Sequence, residues 1–389
     1  MAEIIQLPTR GRKNLKKKSK QTIKTGRLDS VFLILILVLV AFGLVMLFSA
    51  SYANAYYYEG NSFRYISRQS LACVLGLIAM FVISKFDYHR WRKLAVPLFA
   101  VATIMLIAVL FTSGDENGFK RWVQIPVLGQ FQPSEVMKFA LIVLFSAMIS
   151  TNYKKMGTFL YGVLPFGIIL VLVVGLLYLE PHLSCIILIA GIAAVMMFVG
   201  GTKFRWFAMI GSVAIVGLIA MLLLKGNYQS DRFYYWLHPF SDPLNKTMQT
   251  DQSLLSIGSG GLLGLGLGNS KQKYMYLPEP QNDFIFAIIC EELGVIGAVI
   301  VISLFILFVY KGFSIASKSP DKFGMMLCVG ISAQIGIQAL LNIAVVTNSI
   351  PNTGISLPFF SYGGTALAMQ LAEMGVILNV SRHALIEKT

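Results

Sequence analysis

The chain has 389 residues, of which 56% are hydrophobic and only 13% charged, with a mean hydropathy of +0.71. That charge share is about half of what a water-soluble domain carries, which excludes a soluble globular enzyme and an intrinsically disordered chain. The formal net charge of +14 does not imply nucleic acid. The basic head "RGRKNLKKKSKQTIKTGR" has no aromatic residue for stacking on bases and directly precedes an apolar run, so it reads as a disordered tail against anionic lipid, with no nucleic-acid partner.

Apolar runs long enough to cross a bilayer core as helices recur along the chain. In order, they predict ten spans near 30–50, 69–86, 95–112, 133–151, 158–178, 183–200, 207–224, 284–310, 323–348 and 365–380. The expected fold is therefore an all-α polytopic membrane protein. Residues 1–28 form a basic tail, 29–382 one membrane domain, and 383–389 a second short tail. With the N-terminus cytoplasmic, 22 Lys and Arg fall on the inner side and 9 on the outer, leaving Lys138 inside a span. This bias puts both termini in the cytoplasm. The first apolar run is too long and starts too late for a cleavable signal peptide.

The loops are unequal. The outer connection 225–283 is long, and it is too rich in apolar and aromatic residues for a disordered linker. "FYYWLHPF" suits the membrane interface, while "SLLSIGSGGLLGLGLG" suits a tightly turned backbone. Two shorter outer loops, 113–132 and 349–364, are rich in Gly, Pro, Asn and Ser. Chemistry is therefore expected on the outer face. The four cysteines, Cys73, Cys185, Cys290 and Cys328, are widely separated, lie in or beside spans and form no CxxC pair, so they read as packing residues.

Ionisable residues inside spans are costly and line a cavity or pair with one another. Glu135 and Lys138, at i and i+3 after a Pro133–Ser134 helix start, share one helical face. They read either as a structural ion pair or as part of a polar cavity for a substrate headgroup. Glu291 and Glu292 project about 100° apart, so at least one is expected to hold helices together. Glu373 is a further intramembrane charge. Asp283 stands immediately before the eighth span. It could cap that helix, or it could act as a general base at membrane-surface height beside the longest outer loop.

Four stretches, "NGFKRW", "QPSEVMK", "SLLSIGSGGLLGLGLGNSKQKYMYLPEPQNDFIFAIICEELG" and "NTGISLPFFSYGG", closely resemble signatures of the SEDS family, the FtsW, RodA and SpoVE proteins. The resemblance runs from Asp29 to Arg382 with the motifs in the family's order, and the wording around Asp283 is most similar to the division and sporulation branch. It implies a peptidoglycan glycosyltransferase that polymerises lipid II at the outer face of the cell membrane, for septal or sporulation wall synthesis. Asp283 maps onto the family's catalytic aspartate. Glu135 and Lys138 map onto its "QPSExxK" motif, Arg121 onto the basic position after Lys120, and Ser361, Gly363 and Gly364 onto its "SYGG" signature. His182 stands where many relatives carry aspartate. The resemblance also implies a partner, a class B penicillin-binding protein with transpeptidase activity, together with other divisome proteins at the division septum.

The residue reading and the resemblance meet on one base and no covalent intermediate. The departing pyrophosphate needs cations; Lys120, Arg121, Lys138, Arg232, Lys271 and Lys273 are the candidates. The sequence requires no cofactor and no metal-ligand spacing is visible, although a divalent cation, Mg2+ or Mn2+, is a candidate to share that task. Two rival classes stand beside this one: a lipid II flippase with buried charges along its path, and a non-catalytic divisome scaffold in which Asp283 is only a cap.

Overall fold

The computed structural model describes residues 26, 28–112, 121–125, 129–209, 211–212, 234–242 and 247–383. In chain order they form α1 (Ser30–Glu59), α2 (Arg64–Ile83), α3 (His89–Val109), β1 (Val123–Ile125), β2 (Gly129–Phe131), α4 (Pro133–Asn152), α5 (Phe159–Gly162), α6 (Leu164–Leu179) and α7 (Leu183–Val199). After these come α8 (Met248–Gly260), α9 (Ile285–Ser317), α10 (Lys322–Val346) and α11 (Gly364–His383). Among the described residues, seven stretches are long and apolar enough to cross a membrane: α1, α2, α3, α4 with its following turn, α5–α6, α9 and α10. The shorter α7 and the more polar α11 stand at two further predicted spans. Most of the predicted span 207–224, and the basic tail up to residue 25, lie outside the described residues.

Local chemistry sets the helix limits. The Asp29 carboxylate accepts the Phe32 N–H at 3.0 Å to start α1, and Gly60, at φ 65°, ends it in the left-handed conformation that glycine adopts without strain. Asp321 caps α10 through the N–H groups of Phe323 and Gly324, at 2.8 and 2.9 Å. The expected single span 158–178 is broken instead into α5 and α6, because Val163 is non-helical and Pro165 sits at the start of the second piece. The expectation of an all-helical chain needs one small addition. Before α4, β1 and β2 pair antiparallel with Val123 opposite Phe131.

The bundle is organised around α4 and α10. Their spanning windows are 72% and 67% buried, against 22% to 39% for the other five. They pack on each other and on α7, while α2 packs along α11 and α3 along α4. One end of the bundle gathers the Lys311–Asp29 ion pair at 2.9 Å and the His89–Asp321 contact at 3.2 Å. This is the end with the positive excess. The opposite end carries β1–β2, the α6–α7 link, α8 with the segment after it, and the α10–α11 loop.

At that opposite end α9 is interrupted at Gly294 (φ 65°, ψ −164°), which strips helical partners from the backbone on both sides. Unpaired backbone groups at membrane depth are costly, and here the glycine-rich stretch supplies the partners. Leu265 and Gly266 donate to the carbonyls of Glu291 and Glu292, both at 3.0 Å, and Val295 and Ile296 donate to those of Gly261 and Leu262, at 3.0 and 3.3 Å. The approach demands glycine: a Cβ on Gly264 would lie 2.1 Å from the Glu292 carbonyl oxygen. The expected turned backbone is thus present only over 261–268, as a splint along a broken helix; residues 253–260 instead continue α8 as helix.

The two adjacent carboxylates complete the splint. Glu291 accepts from the Ser270 hydroxyl at 2.5 Å and the Lys271 N–H at 2.8 Å. Glu292 accepts from the Ser49 hydroxyl and the Lys273 ammonium, both at 2.7 Å. Although neighbours on a helix diverge by about 100°, both carboxylates reach the same turn, 270–273, because it wraps around α9. Asp283 therefore precedes a short half-helix, Ile285–Leu293, whose far end is clamped to α1 and to the glycine-rich segment.

Candidate active site

α4 begins with Pro133 at its first turn, which fixes the helical backbone and leaves no N–H to satisfy there. Glu135 follows in that first turn, where the helix dipole favours a carboxylate. One turn later Lys138 pairs with it at 2.8 Å, and both side chains are almost fully buried. Lys138 also donates to Gln338 Oε1 at 3.4 Å.

Gln338 belongs to a stripe on α10. Gln334, Gln338 and Asn342 are four residues apart and lie on one helical face. Gln334 donates to Glu373 at 2.9 Å, and Gln338 donates to the Ser356 carbonyl at 3.1 Å. Asn342 donates to the main-chain oxygens of Asp283 and Ile355, at 2.7 and 2.6 Å. A continuous polar column therefore runs from the buried Glu373, past the Glu135–Lys138 pair, to the backbone of Asp283. A charge pair that could have been local is part of the support of the outer site.

Asp283 does not cap its helix. The N-cap is Phe284, without a side-chain capping bond, and among the described residues no donor reaches the Asp283 carboxylate. The group is partly exposed but enclosed by protein. Burial pushes its pKa up to about 6; Glu279 adds to the rise and Arg121 opposes it. Gly354, at φ 68°, faces the carboxylate so closely that a Cβ there would lie 3.2 Å from Asp283 Oδ2. The α10–α11 loop thus packs its backbone closely against one side of the acid.

Arg121 enters the site from the segment just before β1. It donates to the carbonyl of Pro181, and at 3.4 Å to that of Glu180, which docks the guanidinium on the α6–α7 link. Glu180 is buried; burial raises its carboxyl to about 8, with Arg121 opposing. His182 is pushed down to about 3 by burial and by the positive charges of Arg121 and Lys138, so its imidazole is neutral. Glu180, Asn342, Gln338 and Gly354 were not singled out in the sequence. The apolar burial around "EPHLS" was the one signal available for Glu180.

The remaining candidates take other places. Ser361 Oγ accepts the Leu357 N–H at 2.7 Å, closing the turn before α11. The Gly363 N–H donates to Gln69 at 3.1 Å, and Gly364 packs against Ala72 so closely that a Cβ would meet its Cβ at 3.2 Å. The Tyr362 N–H donates to the Gln281 carbonyl at 2.8 Å, so this turn braces the segment that ends on Asp283. Lys273 is fully buried and spent on Glu292, Ser49 and the Gly268 carbonyl, at 2.7, 3.2 and 2.6 Å; this removes it from the candidate cations for a leaving group. Lys120 and Arg232 lie outside the described residues. No three His, Cys, Asp or Glu side chains among the described residues converge as metal ligands, and no step below passes through a metal.

The comparisons agree with this architecture. The family model described as "Cell cycle protein", for FtsW, RodA and SpoVE, matches residues 29–385. The chain is 39% identical to stage V sporulation protein E of Bacillus subtilis (strain 168) over 365 residues, covering 93% of this chain and 99% of that protein. It is 38% identical to the probable peptidoglycan glycosyltransferase FtsW of Geobacter sp. (strain M18) over 356 residues, covering 91% and 96%. Among solved structures, a chain of a peptidoglycan synthase complex that coordinates polymerization and crosslinking superposes with a TM-score of 0.78 at 27% identity, covering 91% and 98%. The rod shape determining protein RodA of Thermus thermophilus gives a TM-score of 0.68 at 27% identity, covering 92% and 98%. The family-model match over residues 29–385 and relatives 38% to 39% identical across nearly the whole length place the chain in the FtsW/RodA/SpoVE family.

Proposed function

We propose that this chain is a peptidoglycan glycosyltransferase that polymerises lipid II into β-1,4-linked glycan strands at the outer face of the bacterial cytoplasmic membrane. One observation carries the reading: Asp283 is the outer-end carboxylate that is free of hydrogen-bonded duty, partly exposed, and held near pKa 6. In the reaction, Asp283 takes the proton from the 4-hydroxyl of the acceptor's N-acetylglucosamine. The freed oxygen bonds to the donor's anomeric carbon from the face opposite the lipid pyrophosphate. The carbon–oxygen bond to that pyrophosphate breaks, and the electron pair leaves with it, so α becomes β and no covalent enzyme intermediate forms. Arg121 is the best placed cation for the leaving group, and Lys138, through its pair with Glu135, holds the floor of the site. A divalent cation, Mg2+ or Mn2+, is a candidate to share the charge of the departing pyrophosphate.

The family likeness supports a class B penicillin-binding protein as partner and septal or sporulation wall synthesis as the setting. The buried column from Glu373 to Gln338 favours one second reading, a flippase for the same lipid. Purified lipid II in detergent separates the two, because no leaflets exist there. With the cognate transpeptidase present, a polymerase yields glycan strands. A flippase or a scaffold leaves lipid II unchanged.

A further inference from the structure

At the outer end of α1, a cavity of about 300 Å3 opens between that helix and the segment that leads to Asp283. Its walls include Tyr52, Tyr56, Tyr57 and Ser62 on one side and Tyr274 and Met275 on the other. The size is at the lower end of the range for small-molecule sites. Tyr52 and Tyr274 are joined hydroxyl to hydroxyl across it, with ring centroids 6.0 Å apart and edge to face. Beneath them the fully buried Lys273 ammonium lies 4.9 Å over the Tyr52 ring, so the wall is pinned by the same clamp that holds α9. By contrast Tyr56 and Tyr57 are 68% and 71% exposed. Met275 on the second wall belongs to the segment that runs on to Asp283, eight residues later.

We infer that this tyrosine-walled cleft, on the segment that leads to Asp283, is a saccharide subsite that holds the growing glycan strand; the inference rests on the polymerase reading above. Pyranose rings present C–H faces and hydroxyl edges, and tyrosine offers a matching apolar face with a polar tip at low conformational cost. Exposed tyrosines at a helix end also serve as interfacial anchors. An anchor, however, needs no second wall, and here the opposing wall is Tyr274, nine residues before the base. Ser62 on the wall and the Glu59–Arg64 ion pair at 2.9 Å place polar groups for sugar hydroxyls at the border of the aromatic wall.

The test uses the full chain in detergent and an uncrosslinked tetrasaccharide of alternating N-acetylglucosamine and N-acetylmuramic acid as probe. Affinity is measured for wild type, for Tyr56→Ala/Tyr57→Ala, and for Tyr58→Ala, whose side chain is 66% exposed but is not part of the cleft wall. The double variant is expected to lose about tenfold or more in affinity, as for two aromatic contacts, and to give shorter strands from lipid II. Tyr58→Ala should match wild type in both. Equal affinity or equal strand length in all three proteins would overturn the subsite, as would no binding by wild type. Because the probe binds without turnover, tyrosine-dependent binding by a chain that polymerises nothing would uphold the cleft and count against the polymerase reading.

Discussion

At the scale of single residues, reactivity depends on which polar groups are free to react. Asp283 has no capping duty and no described donor, so only its ionisation state limits it as a base. The ionised form alone accepts a proton, and with a pKa near 6 the initial rate should reach a plateau above about pH 7. It should fall about tenfold per unit below about pH 6. Absence of that acid limb would exclude Asp283 as the base. Asn342→Ala removes the two bonds that fix the backbone of Asp283 to the α10–α11 loop. A lowering of the rate by about 10- to 100-fold is expected, with the acid limb unmoved; a normal rate would show that the backbone is held by other means. Glu135, Lys138 and Asp283 were legible in the sequence because an ionisable residue in or beside an apolar run stands out. Asn342, Gln338 and Gly354 were not, since a neutral amide in a helix or a glycine in a loop reveals its partner only in three dimensions.

At the scale of elements, the break in α9 and its glycine splint set the half-helix that follows Asp283. Gly264→Ala would place a Cβ 2.1 Å from the Glu292 carbonyl oxygen at φ 80°, and should destabilise the protein by about 3 kcal/mol or more. Gly258→Ala, inside α8 with no atom within 4 Å of the added carbon, should be neutral or stabilising by up to about 1 kcal/mol. Thermal unfolding of both in detergent checks the contrast, and equal effects would contradict the splint. The clamp makes a parallel prediction. Lys273→Met leaves the buried Glu292 carboxylate unpaired and should cost about 3–5 kcal/mol, whereas Lys273→Met/Glu292→Met should cost clearly less than the sum of the single changes. Additive losses would mean that the 2.7 Å ion pair carries no coupling. The glycines mark the tight turn over 261–268, although the expectation wrongly extended it to 253–260, which are helical. Its partner was hidden, because Gly294 inside an apolar run resembles any tolerated helix glycine until the freed backbone groups are seen paired.

At the scale of the molecule, nine of the ten predicted spans carry helices among the described residues. Hydropathy missed the β1–β2 hairpin, whose strands are only three residues each, and the α5–α6 break. The Lys and Arg bias assigns the Asp29–Lys311 end to the cytoplasm and Asp283 to the outside. All four native cysteines are buried, so single introduced cysteines can report sidedness. Tyr58→Cys should react with an impermeant maleimide on intact cells, and Ser317→Cys only after permeabilisation; the reverse pattern would invert the topology and with it the location of the chemistry. The central claim is that Asp283 is the base of a lipid II polymerase. Its most direct test is the yield of glycan strands from purified lipid II with wild type and with Asp283→Asn, each in complex with its transpeptidase. Wild type should yield strands, and the variant a rate about 10²- to 10⁴-fold lower. Strands from both at equal rates, or from neither with the complexes intact, would contradict that claim.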